Sequence, residues 1–310
     1  MEREEQDALR QEELTQRYLA AVNSFVDKLK TDPNIIAVYL CGSLSHAKVW
    51  EKSNVDMVVI VRDQELTTRS YSIDEDDIIL NVDLTTRSAF KRDMGKQKGG
   101  SVGHSVLALG RFLYTTDDSL EQMAADFREM GDDDIELSFF HRAAGLVWAM
   151  EKIEKWLRVR KDPTYAQYYI LTAADILAGM EMLVHRAIPT REAVLDVEAL
   201  CPGFIRPFYQ DPLSRPYGLE DCWATLDLMK KYLADHTGLV AAPVLECMGD
   251  GEIKTVTELV KHLEMDSHSI THVFEFLEEQ GIVAKVTQTI RITPKGKKAV
   301  EEVAYMLIAE

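Results

Sequence analysis

The sequence predicts an α+β protein, in which a mixed sheet with flanking helices is followed by an α-helical bundle and a small C-terminal domain. Three observations support this fold class. Apolar β-rich segments alternate with helical ones up to about residue 130. Long segments with apolar residues at helical spacing then continue to about residue 238, and short helices precede a β-rich segment after that point. We therefore expect three domains, at residues 1–130, 131–238 and 239–310.

The first domain is predicted from its alternation of patterns. Residues 2–30 form an amphipathic helix, and the polar turn that follows ends it. Apolar strands are expected at 35–43 and 54–63, and a hairpin with an acidic turn at 69–86. A short helix over 88–97 and a strand over 111–116 complete this mixed sheet and its helices.

The middle of the chain is predicted to be helical. Apolar positions recur at helical spacing over 135–161, 165–187 and 219–236, which is typical of a helical bundle. A proline-rich segment at 202–218 separates the last two helices, and we expect it to be a loop. The acidic side chains that open the first helix, Glu136 among them, are expected to complement its dipole, although Glu136 is also a candidate general base.

The last segment is predicted to contain three short helices, a two-stranded wing over 282–296 and a closing helix over 297–310. Residues 277–283 and 292–296 carry a pattern that resembles the winged helix-turn-helix domains of bacterial regulators. DNA binding requires a basic surface, but residues 240–310 contain twelve acidic and seven basic residues, a net charge of −5. The expected recognition helix contains no lysine or arginine. We therefore expect protein contacts or homodimer formation here, and no specific DNA binding.

The composition narrows the range of partners. Hydrophobic residues make up 46% of the 310 residues, and the net charge is −17. An acidic surface opposes non-specific binding to nucleic acid and anionic membranes, and it favours cationic partners. The N-terminal segment lacks the apolar stretch of a signal peptide, and no apolar run reaches the roughly 18 residues that a membrane span needs. The four cysteines form no CxxC pair. We expect a cytoplasmic protein with reduced thiols.

Gly42 and Ser43 form a candidate phosphate-binding turn. They follow an apolar strand and precede a segment that is able to form a helix. Glycine allows a tight turn and a close approach to a ligand, and the amides at a helix N-terminus attract anions. Taken alone, a Gly-Ser pair after a strand is usually a turn and a helix cap.

Asn54, Asp56 and Asp83 are the candidate metal ligands. Residues two apart on a strand share a face, so Asn54 and Asp56 are expected to point the same way, with Asp83 on a second strand. Mg²⁺ prefers oxygen ligands and bridges carboxylates to substrate phosphates. The ordered set of strand, Gly-Ser, helix, Asn-x-Asp and a later aspartate therefore predicts a functional site that binds Mg²⁺ and substrate phosphates.

This set of motifs resembles the DNA polymerase β-type nucleotidyltransferase superfamily, especially its small antibiotic-modifying and minimal members. Gly42, Ser43, Asp56 and Asp83 match its pattern directly, and the predicted bundle resembles the helical partner domain of aminoglycoside nucleotidyltransferases. The resemblance implies transfer of a nucleoside monophosphate to a small acceptor, which the charge of the chain suggests is cationic. Two positions depart from the family pattern: Asn54 replaces its first aspartate, and Ala47 replaces a small glycine.

Because Asn54 has no charge, the sequence leaves two functions open. One is a working Mg²⁺-dependent nucleotidyltransferase with weaker metal binding. The other is a catalytically impaired regulator that senses nucleotides or contacts proteins through its C-terminal domain. His268 and His272, which lie four apart on a predicted helix, could touch one metal ion, but the sequence indicates no third ligand.

Overall fold

The computed structural model describes residues 2–42, 44, 50, 52–95, 102–293, 296 and 298–308. The chain forms two compact units, Met1–Glu129 and Met130–Glu310. The first unit contains the sheet that was predicted from the alternation of apolar segments. Across the described ranges, no helix combines the length and the apolar character that a membrane span requires.

A five-stranded mixed sheet forms the centre of the first unit. Its strands are β1 (Ile35–Cys41), β2 (Val55–Val61), β3 (Ser70–Glu75), β4 (Ile78–Thr86) and β5 (Arg111–Thr115). The spatial order is β3-β4-β2-β1-β5, with β2 and β4 parallel and the other pairs antiparallel. The predicted mixed sheet is confirmed. Asp76 and Asp77, both with positive φ, form the tight turn between β3 and β4, as the acidic turn in the sequence predicted.

Helices cover both faces of this sheet. They are α1 (Glu2–Leu29), α2 (Arg87–Met94), α3 (Val102–Ala108) and α4 (Asp118–Asp126). On one face, buried side chains of α1 pack with alternate residues of β1, β2 and β4. On the other face, side chains of α2 and α4 pack with the intervening residues. The predicted α1 and α2 are confirmed, whereas α3 and α4 were not predicted, because both are short.

The second unit begins with a set of packed helices. They are α5 (Asp132–Lys155), α6 (Pro163–Val184), α7 (Ala193–Leu200), α8 (Gln210–Ser214), α9 (Leu219–Asp235) and α10 (Thr237–Cys247). One π-helical turn, Trp156–Arg160, extends α5. The three long helices lie where the apolar spacing predicted them. The proline-rich segment is not entirely loop, because it contains α8.

The C-terminal segment adds two helices and a three-stranded antiparallel sheet. The elements are β6 (Lys254–Thr255), α11 (Val256–Leu263), α12 (Ser267–Glu279), β7 (Val283–Ile290) and β8 (Val300–Leu307), with the strand order β6-β8-β7. The prediction of a closing helix over 297–310 is wrong, since residues 300–307 form a strand. The two-stranded wing was predicted within residues 282–296. In the structure, β7 pairs with β8, which lies beyond residue 296.

One hydrophobic core extends through the second unit. Buried residues of α5, α6, α9 and α10 belong to the same cluster as those of α11, α12, β7 and β8. Helix α5 is central to this cluster because it packs against α6, α9, α10 and α12. The boundary near residue 130 separates the two units, and the further division at about residue 238 stays a prediction.

Candidate functional site

The turn that follows β1 depends on a glycine. Every residue of β1 is buried, and Gly42 follows it with a φ of +74°. Residues with a side chain are strained in this left-handed region. A Cβ atom on Gly42 would also lie 3.1 Å from Oδ2 of Asp56, a contact that is tighter than ordinary van der Waals distance. Glycine therefore allows the backbone of the turn to lie directly against the Asp56 carboxylate. Ser43, predicted to share in phosphate binding, lies outside the described residues, as does Ala47.

The register of the sheet brings the two aspartates to one face. Cys41 on β1 lies opposite Asp56 on β2, and Asp56 lies beside Asn81 on the parallel strand β4. Asp83 is two residues beyond Asn81 and lies beside Val58. Because alternate residues share a face, Asp56, Asn81 and Asp83 all project from the sheet on the side opposite α1. The residues that alternate with them along β2 and β4 point to the other face and are buried against α1.

Asp56 is held by a hydrogen bond from the neighbouring strand. Nδ2 of Asn81 donates to Oδ1 of Asp56 over 3.1 Å. Both Asp56 and Asp83 are exposed, whereas Asn81 is half-buried. The carboxylates therefore stand on a buried sheet but remain accessible to a ligand from solvent.

Cys41 provides a second indication that the two aspartates are close. Its pKa is raised to about 12, first by burial and then by the negative charges of Asp56 and Asp83. A thiol that both carboxylates influence must lie near each of them, because such effects fall off with distance. The same shift keeps Cys41 protonated and unreactive at neutral pH, so it is a packing residue of the site.

Asn54 immediately precedes β2 and is exposed. The backbone before it is anchored to α1, because the hydroxyl of Tyr18 donates to the carbonyl of Ser53 over 2.9 Å and to that of Trp50 over 3.3 Å. This anchor fixes the position from which Asn54 enters the strand. The convergence of the Asn54 side chain with Asp56 and Asp83 stays a prediction.

The donor atoms at this site suit a hard divalent cation. Two carboxylates project from one face, and the amides of Asn54 and Asn81 are the nearest uncharged polar groups along the two strands. Mg²⁺ takes oxygen ligands and usually uses one or two carboxylates together with substrate phosphates. Asp56 and Asp83 fit that requirement, and Asn54 could add a neutral oxygen.

Two residues of this site, Asn81 and Cys41, were missed from the sequence. Asn81 precedes Asp83 by two positions, so period-two alternation already placed both on one face. Its contact with Asp56 depends on β2 and β4 being parallel neighbours, which the sequence does not reveal. Cys41 ends an apolar strand and resembles any other core residue until the register places it opposite Asp56.

Comparison with known proteins gives a family match and a similar fold among solved structures. Residues 23–119 match the family model described as polymerase beta, nucleotidyltransferase. A nucleotidyltransferase-like protein from Exiguobacterium sibiricum, known from its crystal structure, superimposes with a TM-score of 0.63 at 16% sequence identity. The aligned part covers 94% of this chain and 99% of that protein. Among curated proteins, no match was found. Residues 23–119 are therefore similar to nucleotidyltransferase domains of the polymerase beta type, and nearly the whole chain shares its fold with a solved nucleotidyltransferase-like protein.

Proposed function

We propose that the protein is a Mg²⁺-dependent nucleotidyltransferase, which moves a nucleoside monophosphate from a nucleoside triphosphate to a small, cationic acceptor. One observation carries this proposal: Asp56 and Asp83 project from the same face of the sheet, and Asp56 lies against the Gly42 turn. The family match of residues 23–119 supports it, because the match contains all of these residues.

The residues of the site divide into two roles. The turn at Gly42 and Ser43 would bind the triphosphate, since a backbone that approaches closely can donate its amides to phosphate oxygens. Asp56 and Asp83 would hold the metal ion, and the neutral oxygen of Asn54 would assist. The bound ion would stabilise the charge that develops on the transferring phosphoryl group. Asn81 would keep the Asp56 carboxylate in position through its hydrogen bond.

The acceptor is proposed from the charge of the chain. A net charge of −17 attracts a cationic molecule and repels a nucleic acid acceptor. The two site carboxylates add negative charge at the position where chemistry would occur. We expect a small amine-bearing acceptor, similar in charge to an aminoglycoside.

Nucleotide binding by the full-length protein tests this proposal. We expect ATP, GTP, CTP or UTP to raise the melting temperature in the presence of Mg²⁺, and to have little effect after EDTA treatment. Asp56→Ala should remove the shift, because it deletes one of the two carboxylates. Asp93→Ala serves as the control, because it removes an exposed carboxylate from α2 in the same unit. This variant should retain the rise in melting temperature. Equal shifts for wild type and Asp56→Ala would contradict the proposed site.

A second function is favoured by one feature, the neutral amide at position 54. A site with one carboxylate fewer than the family pattern binds Mg²⁺ less strongly. Under this alternative the protein is a catalytically impaired regulator, which senses nucleotides or contacts proteins through a winged-helix domain at residues 239–310. The short helices and three strands described in that segment are consistent with such a domain. A homodimer is one form that its contacts could take. Nucleotide binding without turnover, across a panel of amine acceptors, would favour this alternative.

A further inference from the structure

An imidazole and two carboxylates converge in the second unit. His272 on α12 is buried, and its Nδ1 atom lies 2.7 Å from Oε1 of Glu151 on α5. Glu275, three residues after His272, joins them. One donor atom from each of the three side chains lies within 4.8 Å of the other two. The group therefore links two helices that are more than a hundred residues apart in sequence.

The two carboxylates of this group place negative charge on either side of one imidazole. Carboxylate oxygens separated by less than 5 Å repel each other unless a cation compensates. The lysines on the wall of the adjoining cavity are already engaged, because Lys230 pairs with Glu154 and Lys231 with Asp235. A cation that contacts both Glu151 and Glu275 would lie beside His272, the third member of the group.

His268 explains how His272 could ligate an ion. The Nε2 atoms of His268 and His272 lie 3.1 Å apart, one helical turn from each other. When Nε2 of His272 donates its proton to His268, the Nδ1 atom carries a lone pair that faces Glu151. In the other tautomer Nδ1 donates a hydrogen bond to Oε1 of Glu151 over 2.7 Å, and in this one a shared cation takes the place of that proton. Metal-bound histidines commonly have their second nitrogen fixed by a hydrogen bond of this kind.

We propose that Glu151, His272 and Glu275 form a binding site for a divalent transition-metal ion, with Zn²⁺ as its representative. Imidazole nitrogen and carboxylate oxygen are both Zn²⁺ ligands at about 2.0–2.2 Å, which places the ligand atoms roughly 3.0–3.5 Å from each other around the ion. Small side-chain rotations bring the present group to that spacing, since Glu275 is exposed and Glu151 is half-buried.

The site has an open side. Glu151 and Glu275 line a cavity of about 590 Å³ that is formed by residues of α5, α9 and α12. Three protein ligands leave a position on a tetrahedral ion for water or a small anion, and that position would face this cavity. The ion would also hold α12 on α5. This inference is independent of the proposed nucleotidyltransferase activity.

Calorimetric titration of the full-length protein with ZnCl₂ tests the site. The titration uses metal-free protein that also carries Asp56→Asn and Asp83→Asn, so that the proposed Mg²⁺ site does not contribute. We expect one equivalent of Zn²⁺ to bind, and we expect Glu275→Gln to weaken binding at least tenfold. Glu279→Gln is the matched control, because Glu279 lies on the same helix and lines the same cavity without belonging to the group. It should bind Zn²⁺ as the parent does.

Two further variants complete the test. His272→Gln should abolish the binding, and circular dichroism establishes that this buried substitution folds; if it does not, the exposed Glu275→Gln alone decides the result. His185→Gln alters the other group of this type within the described residues, which comprises Glu181, His185 and Cys201. That variant should leave the titration unchanged. No Zn²⁺ binding by the parent, equal binding by Glu275→Gln, or a loss in His185→Gln would each overturn the proposal.

Discussion

Asn81 on β4 donates a hydrogen bond from Nδ2 to Oδ1 of Asp56 on β2, over 3.1 Å. The other carboxylate oxygen, Oδ2, is the atom that a Cβ on Gly42 would meet at 3.1 Å. Asp56 therefore has a hydrogen bond from the neighbouring strand on one side and the closely approaching backbone of the turn on the other. A carboxylate held in this way is ready to bind a ligand without losing rotamer freedom at that moment.

We predict that Asn81→Ala weakens Mg²⁺–nucleotide binding about tenfold, because the variant releases the Asp56 carboxylate from one of its two restraints. Ser72→Ala is the control, since Ser72 is the exposed partner of Asn81 on β3 and its side chain is not part of the site. Isothermal titration of both variants with ATP and Mg²⁺ gives the comparison. An unchanged dissociation constant for Asn81→Ala would show that the hydrogen bond does not position Asp56.

At position 54, we predict that Asn54→Asp tightens Mg²⁺–nucleotide binding at least tenfold, whereas Asp56→Ala abolishes it. The aspartate restores the family pattern at nearly the same volume, and a carboxylate attracts Mg²⁺ through its charge as well as its lone pair. Calorimetry on the two variants measures both effects before any acceptor is identified. If wild type binds no nucleotide and neither variant changes this, the site has lost its function and the regulatory alternative replaces the enzymatic one.

Gly42→Ala is predicted to remove nucleotide binding, and Gly203→Ala provides its matched control. Both glycines have positive φ, at +74° and +81°, so each alanine costs about 1–2 kcal/mol of backbone strain. They differ in their surroundings, because a Cβ on Gly42 meets Asp56 while one on Gly203 has no atom within 4 Å. Urea unfolding should show a loss of stability in both variants, with the larger loss in Gly42→Ala because its Cβ also crowds Asp56. Nucleotide binding that survives in Gly42→Ala would indicate that the close approach to Asp56 is dispensable.

The stability of the first unit should depend on pH through Glu75. This buried carboxylate at the end of β3 accepts hydrogen bonds from Lys28 and Ser24 of α1, both over 2.6 Å, and the lysine, more than the serine, lowers its pKa below the ordinary 4.5. The unfolded chain binds a proton first as the pH falls, so the stabilisation is complete above about pH 4.5 and is lost below it. We predict that Glu75→Gln flattens the pH dependence of the unfolding free energy in that window.

Urea denaturation at a series of pH values between 6 and about 3 measures this dependence. Asp27→Asn controls for the loss of a negative charge, because it removes an exposed carboxylate from the same helix α1. A wild-type profile that Glu75→Gln does not alter would mean that the contact between α1 and β3 contributes no pH-dependent stability.

For the C-terminal segment, we predict no specific binding to duplex DNA by the full-length protein. Residues 240–310 have a net charge of −5, and α12 carries three glutamates with no lysine or arginine. Fluorescence anisotropy with a library of duplexes at several salt concentrations measures this. Sub-micromolar binding to one defined sequence at physiological salt would contradict the prediction.

The elements of the first unit were predictable from the sequence because each carries a strong local pattern. The apolar strands β1, β2 and β4, the tight acidic turn at Asp76 and Asp77, and the amphipathic α1 were all predicted close to their observed positions. Alternation predicted the polar side of each strand, and the parallel register of β2 and β4 places Asp56 and Asp83 on one face. The contact between Asn81 and Asp56 was not predictable, because it depends on which strands become neighbours.

The error at residues 300–307 has a different cause. Val300, Val303, Ala304 and Leu307 recur at spacings of three and four, which favours a helix as strongly as the local sequence can. Pairing with β7 along its whole length, and with β6 on the other side, stabilises the strand instead. Tertiary context therefore overrides local propensity in this segment.

The position of α5 in the second unit has a consequence for how this part of the chain loses its structure. Because α5 packs against helices from both the bundle and the C-terminal segment, removing either set exposes an apolar face that is now buried. Partial opening is then costly, and residues 130–310 should unfold cooperatively. Amide hydrogens in the middle of α5 and in α12 should exchange with solvent at the same, slowest rate, as parts of one foldon.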